Sequence, residues 1–335
     1  MAPTPEHCDF LWEQGDPAAA LRLRFGWATL PAAAAALTEI VYTNYGLDIH
    51  TIERLAISAA NAVVWLHTSA GRSILKLCGL SEAHQALAAR TALVRWLGES
   101  AQPVPPIRPG LSGEYQLWNG RYSLALHHWV DGAPLNASDH AQARSAGAAL
   151  AQLHLTLADY PAQADFAPLT PPARLASLCA ELAAWQPAEH TQLSGMLDQI
   201  AQRWELADHT ALPQGLAHND YRAANLLFRG PELLAVLDFE ELTWNYWIAD
   251  LAWGAVFLGT LYRDWGPLDP AVQATFLAAY AAARPLTAAE QAILPVLLTL
   301  GSLALARAGQ TPELRSSSLA AAYRLAEQAH VLAAG

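Results

Sequence analysis

The sequence predicts an α+β chain in two lobes, and three observations carry that prediction. Three short apolar runs with strand character lie between Thr51 and Cys78, and one amphipathic helix follows them. A Pro- and Gly-marked break then falls at roughly 127–134. Beyond it the pattern is mostly helical, interrupted by one pair of apolar strands between Asn225 and Phe239. The expectation is a five-stranded antiparallel sheet plus one helix, then a larger, mainly helical lobe carrying a hairpin.

Taken in order, residues 1–50 are Ala-rich with helical patterning, as in Leu30 to Tyr45, which ends at Gly46. The runs at 51–55, 62–67 and 73–78 read as strands, turned at Ala59-Ala60-Asn61 and Ser69-Ala70-Gly71. Ser81 is the expected N-cap of a helix reaching Leu97, with Leu87, Leu93, Val94 and Leu97 on its apolar face. Two further strands, 115–118 and 121–129, flank the turn Asn119-Gly120. Helices are then expected at 139–157, 172–185 and 192–207, and again from Leu251. The hairpin turns at Arg229-Gly230-Pro231. Domain boundaries follow: an N-terminal lobe at 1–127 with a helical extension at 1–50, a hinge at 128–134, and a C-terminal lobe at 135–335.

Composition excludes several classes. The 335 residues are 53% apolar and 15% charged, which describes a packed chain rather than a disordered one. The net charge of −11 argues against nucleic acid as a partner, because phosphate backbones need a basic face. Cys8, Cys78 and Cys179 are few, odd in number and without metal-ligand spacing, so they read as thiols in a reducing compartment. The N-terminus has no export pattern, and the most apolar segment, 293–306, is too short and interrupted to span a bilayer. A cytoplasmic protein with no membrane partner, monomeric or homodimeric, is expected.

One lysine stands against eighteen arginines. That residue, Lys76, sits inside the apolar run Ser73–Cys78, where a compact ammonium suits phosphate oxygens better than a planar guanidinium. A leftover lysine in an Arg-biased chain explains the count equally well. The stretch His218-Asn219-Asp220-Tyr221-Arg222-Ala223-Ala224-Asn225, followed by Leu237-Asp238-Phe239-Glu240, decides the matter. Phosphoryl transfer from ATP needs a carboxylate beside the acceptor hydroxyl and oxygen ligands for Mg²⁺. Asp220 suits the first role. Asn225 and Asp238 suit the second, with Glu240 added if side chains alternate along a strand. By chance this spacing arises in roughly one chain in a thousand, whereas a capped turn explains each residue singly.

Here the chain resembles the aminoglycoside phosphotransferase and choline/homoserine kinase group, the small-molecule branch of the protein-kinase-like fold. The likeness runs from about Gly46 to about residue 305. It rests on Ile74–Leu77, the connector Leu126–Gly132, Gly147–His154, the two segments just quoted and Ile248–Ala252, with a weaker match at Tyr280–Glu290. The resemblance implies a bilobal kinase fold and an ATP-dependent (or GTP-dependent) transfer to a hydroxyl of an aminoglycoside-like antibiotic, an amino alcohol of homoserine or choline type, or a sugar. It implies that Lys76 contacts the nucleotide phosphates and that Asp220 is the base. Asn225 and Asp238 would hold Mg²⁺, Asp250 would brace the catalytic loop, and the backbone of His128, Trp129 and Val130 would receive adenine.

There are departures from the family pattern. The turn Ser58–Asn61 lacks glycine, which leaves Ser58 and backbone N–H groups to grip phosphate. Arg90 aligns where a Glu normally pairs with the lysine, and Glu82 lies one to two turns early. These two features motivate the alternative of a nucleotide-binding pseudokinase, and the intact Asp220, Asn225 and Asp238 oppose it. His218 reads as a loop-organising residue. Arg222 is a candidate for steadying the transferred phosphoryl. Trp244 and Trp247 are candidates for a wall of the acceptor cleft, and Glu241 and Asp264 are weaker candidates for contacting a cationic acceptor.

Overall fold

The computed structural model describes residues 5, 7–11, 13, 15–58, 61–166, 180–182, 184, 193–263 and 265–332. It divides into two compact units, Met1–Asp131 and Gly132–Gly335.

The first unit is built on a seven-stranded sheet. Its strands are β1 (His7–Phe10), β2 (Ile49–Ile57), β3 (Asn61–Thr68), β4 (Gly71–Cys78), β5 (Ile107–Arg108), β6 (Leu117–Trp118) and β7 (Ser123–His128). They run in the order β1-β2-β3-β4-β7-β5, with β6 also on β7. The five expected strands are present. The expectation of five is corrected by β1 and β5, and β1 runs parallel to β2, from His7 opposite Arg54 to Phe10 opposite Ile57. Four residues inside a helix-patterned stretch become a strand only through that non-local pairing. Helix α1 (Pro17–Ala20), a π-helical turn at Leu21–Phe25 and α2 (Leu30–Tyr45) complete the extension. Thr29 caps α2 by accepting from the Ala32 N–H, and Gly46 ends it at φ 66°, where a Cβ is unwelcome. Phe25, Leu37, Ile52, Leu55 and Leu75 are wholly buried in the core between extension and sheet.

Helix α3 (His84–Glu99) follows a 3₁₀ turn at Ser81–Ala83. Ser81 is not its cap, because its hydroxyl donates to the neighbouring Glu82 carboxylate instead. Residues 59 and 60 of the expected β2–β3 turn lie outside the described residues, as do Cys179, Asp264 and most of the expected helix 172–185.

The second unit holds α4 (His140–Ala158), α5 (Leu193–Leu206), α6 (Trp247–Phe257), α7 (Pro270–Ala283), α8 (Ala288–Ala308) and α9 (Pro312–Leu332). Strands β8 (Ala133–Pro134), β10 (Leu226–Arg229) and β11 (Glu232–Val236) form one small sheet, and β9 (Gln214–Ala217) with β12 (Thr243–Tyr246) forms another. The β10–β11 hairpin is the expected one, while the β9–β12 pair was not visible in the pattern. Gly147 lets α4 approach α7 closely: a Cβ there would lie 2.2 Å from the Phe276 carbonyl oxygen. Among the described residues one helix, α8, is long and apolar enough to cross a membrane, and 61% of its most apolar window is buried. It is packed as a core helix.

Candidate active site

The residues expected to form the catalytic loop connect the two small sheets of the second unit. Strand β9 delivers His218, and a 3₁₀ turn at Ala223–Asn225 leads into β10. After β11 the chain turns at Asp238, φ 62°, into a second 3₁₀ turn at Phe239–Glu241, and β12 returns beside β9 with Thr243 opposite Ala217. The Leu237 N–H donates to the Asn225 carbonyl at 2.8 Å, which ties the start of the second turn to the end of the first. Asn219 also has positive φ, 63°, a conformation Asn tolerates better than most residues. Its amide donates to the carbonyls of Ala217 (2.9 Å) and Glu241 (3.1 Å) and accepts from Asn245 (2.7 Å). This side chain therefore ties the end of β9 to the second turn and to β12.

Asp220 is held from both sides. Arg222 Nε donates to Oδ1 at 2.8 Å, and Asn225 Nδ2 donates to Oδ2 at 2.7 Å and to the Asp220 carbonyl at 2.9 Å. Arg222 also donates to the Leu261 carbonyl, and its guanidinium sits 5.6 Å from the centre of the Trp265 ring. Burial pushes the Asp220 carboxyl above the usual aspartate range. Arg222 pulls it down, the Asp238 carboxylate pushes it up, and the Asn225 hydrogen bond pulls it down; the net effect is upward. Because both Asn225 amide hydrogens are turned toward Asp220, its Oδ1 faces the other way, free of that pair and suited to a hard cation. Among the described residues no three His, Cys, Asp or Glu side chains cluster to hold a metal. A donor set of Asn225 and Asp238 fits an ion that takes its remaining oxygens from phosphates and water.

Beneath the loop lies Asp250, on the first turn of α6 and 1% exposed. Its Oδ2 accepts from the His218 N–H (2.9 Å) and from His154 Nε2 (2.9 Å), and its Oδ1 accepts from the Asn219 N–H (2.8 Å). Burial opposes the charge, but the His154 hydrogen bond and the loop N–H outweigh it and hold the carboxyl below the usual range. His218 completes the frame. Its Nδ1 accepts from the Asp220 N–H (3.2 Å), so Nε2 carries the proton donated to the Leu237 carbonyl (2.9 Å).

The other expected site residues are distributed as follows. Glu240 lies on the 3₁₀ turn, not on a strand; β11 ends at Val236 and Asp238 is left-handed, so strand alternation does not carry Glu240 to the side of Asp238. Trp244 Nε1 donates to the Gln214 side chain at 3.2 Å across the β9–β12 pair. Trp247 stacks on His154 (5.5 Å between ring centres) and lies under Arg284, which makes it part of the packing around the brace. In the first unit, Lys76 is half-buried on β4 between Val63 and Ala125. Arg90 donates back to the Ala86 carbonyl of its own helix. The Ser58 N–H closes its turn onto the Asn61 carbonyl (2.9 Å), and its hydroxyl faces the same oxygen. The N–H groups of His128 and Trp129 are engaged by the carbonyls of Pro106 (2.8 Å) and Arg72 (3.3 Å). Sequence reasoning passed over His154, Tyr280, Arg284 and Glu290 as site residues. The signal was there for His154, a polar residue on the buried face of α4.

A homoserine kinase of Methylobacterium radiotolerans is 28% identical over 280 residues, covering 78% of this chain and 81% of that protein. The solved structure of a microcompartment-associated aminopropanol kinase superposes with a TM-score of 0.63 at 20% identity, over 88% of this chain and 96% of the other. An amicoumacin kinase in complex with AMP-PNP and Ca²⁺ gives 0.61 at 16% identity, over 88% and 92%. The two superpositions show a protein-kinase-like α+β fold. The phosphotransferase enzyme family matches residues 51–291, about 72% of the 335-residue sequence, and the chain belongs to that family of small-molecule kinases acting on hydroxyl groups.

Proposed function

We propose that this kinase transfers the γ-phosphate of ATP to the hydroxyl of a small amino alcohol of the homoserine type. The observation that carries the chemistry is the doubly held Asp220 carboxylate, fixed by Arg222 and Asn225 and raised in basicity by burial. The acceptor class is supported by the curated homoserine kinase of Methylobacterium radiotolerans, which aligns over about four-fifths of its own length. The aminopropanol kinase among the neighbouring structures fits the same class.

Asp220 orients the acceptor hydroxyl and takes its proton as the oxygen attacks in line. Arg222, with one edge on Asp220, directs positive charge toward the transferred phosphoryl group. Asn225 and Asp238 would hold Mg²⁺, which would neutralise charge on the phosphates. Lys76 is assigned to the nucleotide phosphates. Residues 128–134 are assigned as the hinge, with the N–H of Val130 as the adenine donor, because those of His128 and Trp129 are engaged within the first unit. The reaction is placed in the cytoplasm. A turnover screen with Mg-ATP across L-homoserine, aminopropanol, choline, hexosamines and aminoglycosides tests the acceptor. The small amino alcohols are expected to be phosphorylated at least tenfold more efficiently than the antibiotics; an aminoglycoside turned over best would overturn the assignment.

A further inference from the structure

Behind the catalytic loop runs a chain of buried polar contacts that belongs to none of the roles above. Asp250 meets His154 Nε2 at 2.9 Å, and His154 Nδ1 meets the Tyr280 hydroxyl at 2.7 Å. Arg284 Nη1 donates to that hydroxyl at 3.3 Å, and Arg284 Nη2 donates to Glu290 Oε1 at 2.9 Å. Glu290 spends its other oxygen on the Thr287 N–H, in the capping box that starts α8. All five side chains are buried: Asp250 1%, His154 0%, Tyr280 0%, Arg284 7% and Glu290 0% exposed. The residues come from four different helices or their caps, and Trp247 closes the assembly by stacking on His154 with Arg284 over its ring.

The direction of every proton in this chain follows from the donor inventory. A guanidinium only donates, so the Tyr280 oxygen accepts from Arg284. Its own hydrogen then points at His154 Nδ1, which must be bare, and the imidazole carries its single proton on Nε2, aimed at Asp250. An imidazolium would reverse one link. Two donors would then face the Tyr280 oxygen, and the hydroxyl hydrogen would have no acceptor in a fully buried place.

We propose that Arg284, acting through Tyr280, is a positioning residue for phosphoryl transfer: it locks His154 in the neutral Nε2–H tautomer and so keeps Asp250 an ionised acceptor under the loop. The groups facing His154 are Asp250 from α6, Tyr280 and Arg284 at the end of α7, and Glu290 from α8. Burial holds the imidazole below its ordinary range against the pull of Asp250, which agrees with the neutral form. The consequence for chemistry is indirect. A bare Nε2 would leave Oδ2 of Asp250 without its second donor and loosen the His218–Asn219 backbone that sets the angle of Asp220.

The inference rests on Asp220 as the base, but its first test does not use activity. Histidine-selective ¹⁵N NMR of the full chain at pH 7.5, with His154 assigned through its ring contact with Trp247, should show Nε2 protonated and Nδ1 bare. Tyr280→Phe keeps the ring and removes only the hydroxyl. It should spread His154 over both tautomers, and should lower kcat for L-homoserine phosphorylation about tenfold at unchanged nucleotide KM, as expected for a misaimed base. An Nδ1–H tautomer or an imidazolium in the unaltered protein overturns the proposal, and this reading stands even if the variant fails to fold. So does a Tyr280→Phe protein that keeps its tautomer, or that changes tautomer without losing kcat.

Discussion

Replacing Asp250 by Asn tests how much the brace contributes, because it changes one oxygen to an N–H₂ and little else. Three donors converge on the carboxylate, two on Oδ2 and one on Oδ1. The less damaging amide orientation puts Nδ2 against the Asn219 N–H and leaves Oδ1 for His218 and His154. One charge-assisted hydrogen bond, worth about 2 kcal/mol, is then lost, and the other two fall to neutral strength at about 1 kcal/mol each. The sum is about 4 kcal/mol, in the range found when one partner of a buried pair is removed. A unit of this size loses roughly 2–4 °C of Tm per kcal/mol, so the expected drop is about 8–16 °C by circular dichroism. The pH dependence has a definite sign. The Asp250 carboxyl titrates lower when folded than when unfolded, so its contribution is complete above the unfolded pKa and disappears as pH falls through the folded one. Asp250→Asn should flatten that acid limb. A Tm within 2 °C of the parent, with the acid limb intact, would refute the brace.

Three other outcomes are expected. Arg222→Gln removes the nearest charge that lowers Asp220, so the acid limb of log(kcat/KM) should move to higher pH; a limb that stays put or moves down separates Arg222 from the base. Arg24→Ala removes the guanidinium that donates to the Ser58 carbonyl at 2.8 Å while paired to Glu13. Because that pair is partly exposed its worth is about 1 kcal/mol, which predicts a nucleotide KM raised roughly fivefold with kcat kept, read by initial rates. Gly147→Ala places a Cβ against the Phe276 carbonyl and should cost about 2 kcal/mol or more by urea denaturation, despite the better helix former.

What the sequence disclosed was whatever is local. His218, Asp220, Asn225 and Asp238 fall within about twenty residues, so their spacing alone brings them to two adjoining turns. Strands β2, β3 and β4 were legible because their alternation is strong. Strands β1, β9 and β12 were not, since each is four residues long and exists only through a distant partner. Glu240 was placed by extending β11 four residues past its end, through a left-handed Asp238 that breaks the alternation. Trp247 follows Asp238 closely in the chain, but it occupies the first turn of α6 and stacks on His154 of α4. The brace joins positions 154, 250, 280, 284 and 290, and no pattern of period two or 3.6 connects them.

The central claim is that the Asp220 carboxylate takes the acceptor proton. Phosphate transfer from Mg-ATP to L-homoserine, measured beside nucleotide affinity in the parent and in Asp220→Ala, tests it most directly. Turnover should fall by at least a thousandfold while nucleotide affinity changes less than threefold, the pattern of a group used only in the transition state. Turnover within tenfold of the parent would contradict it.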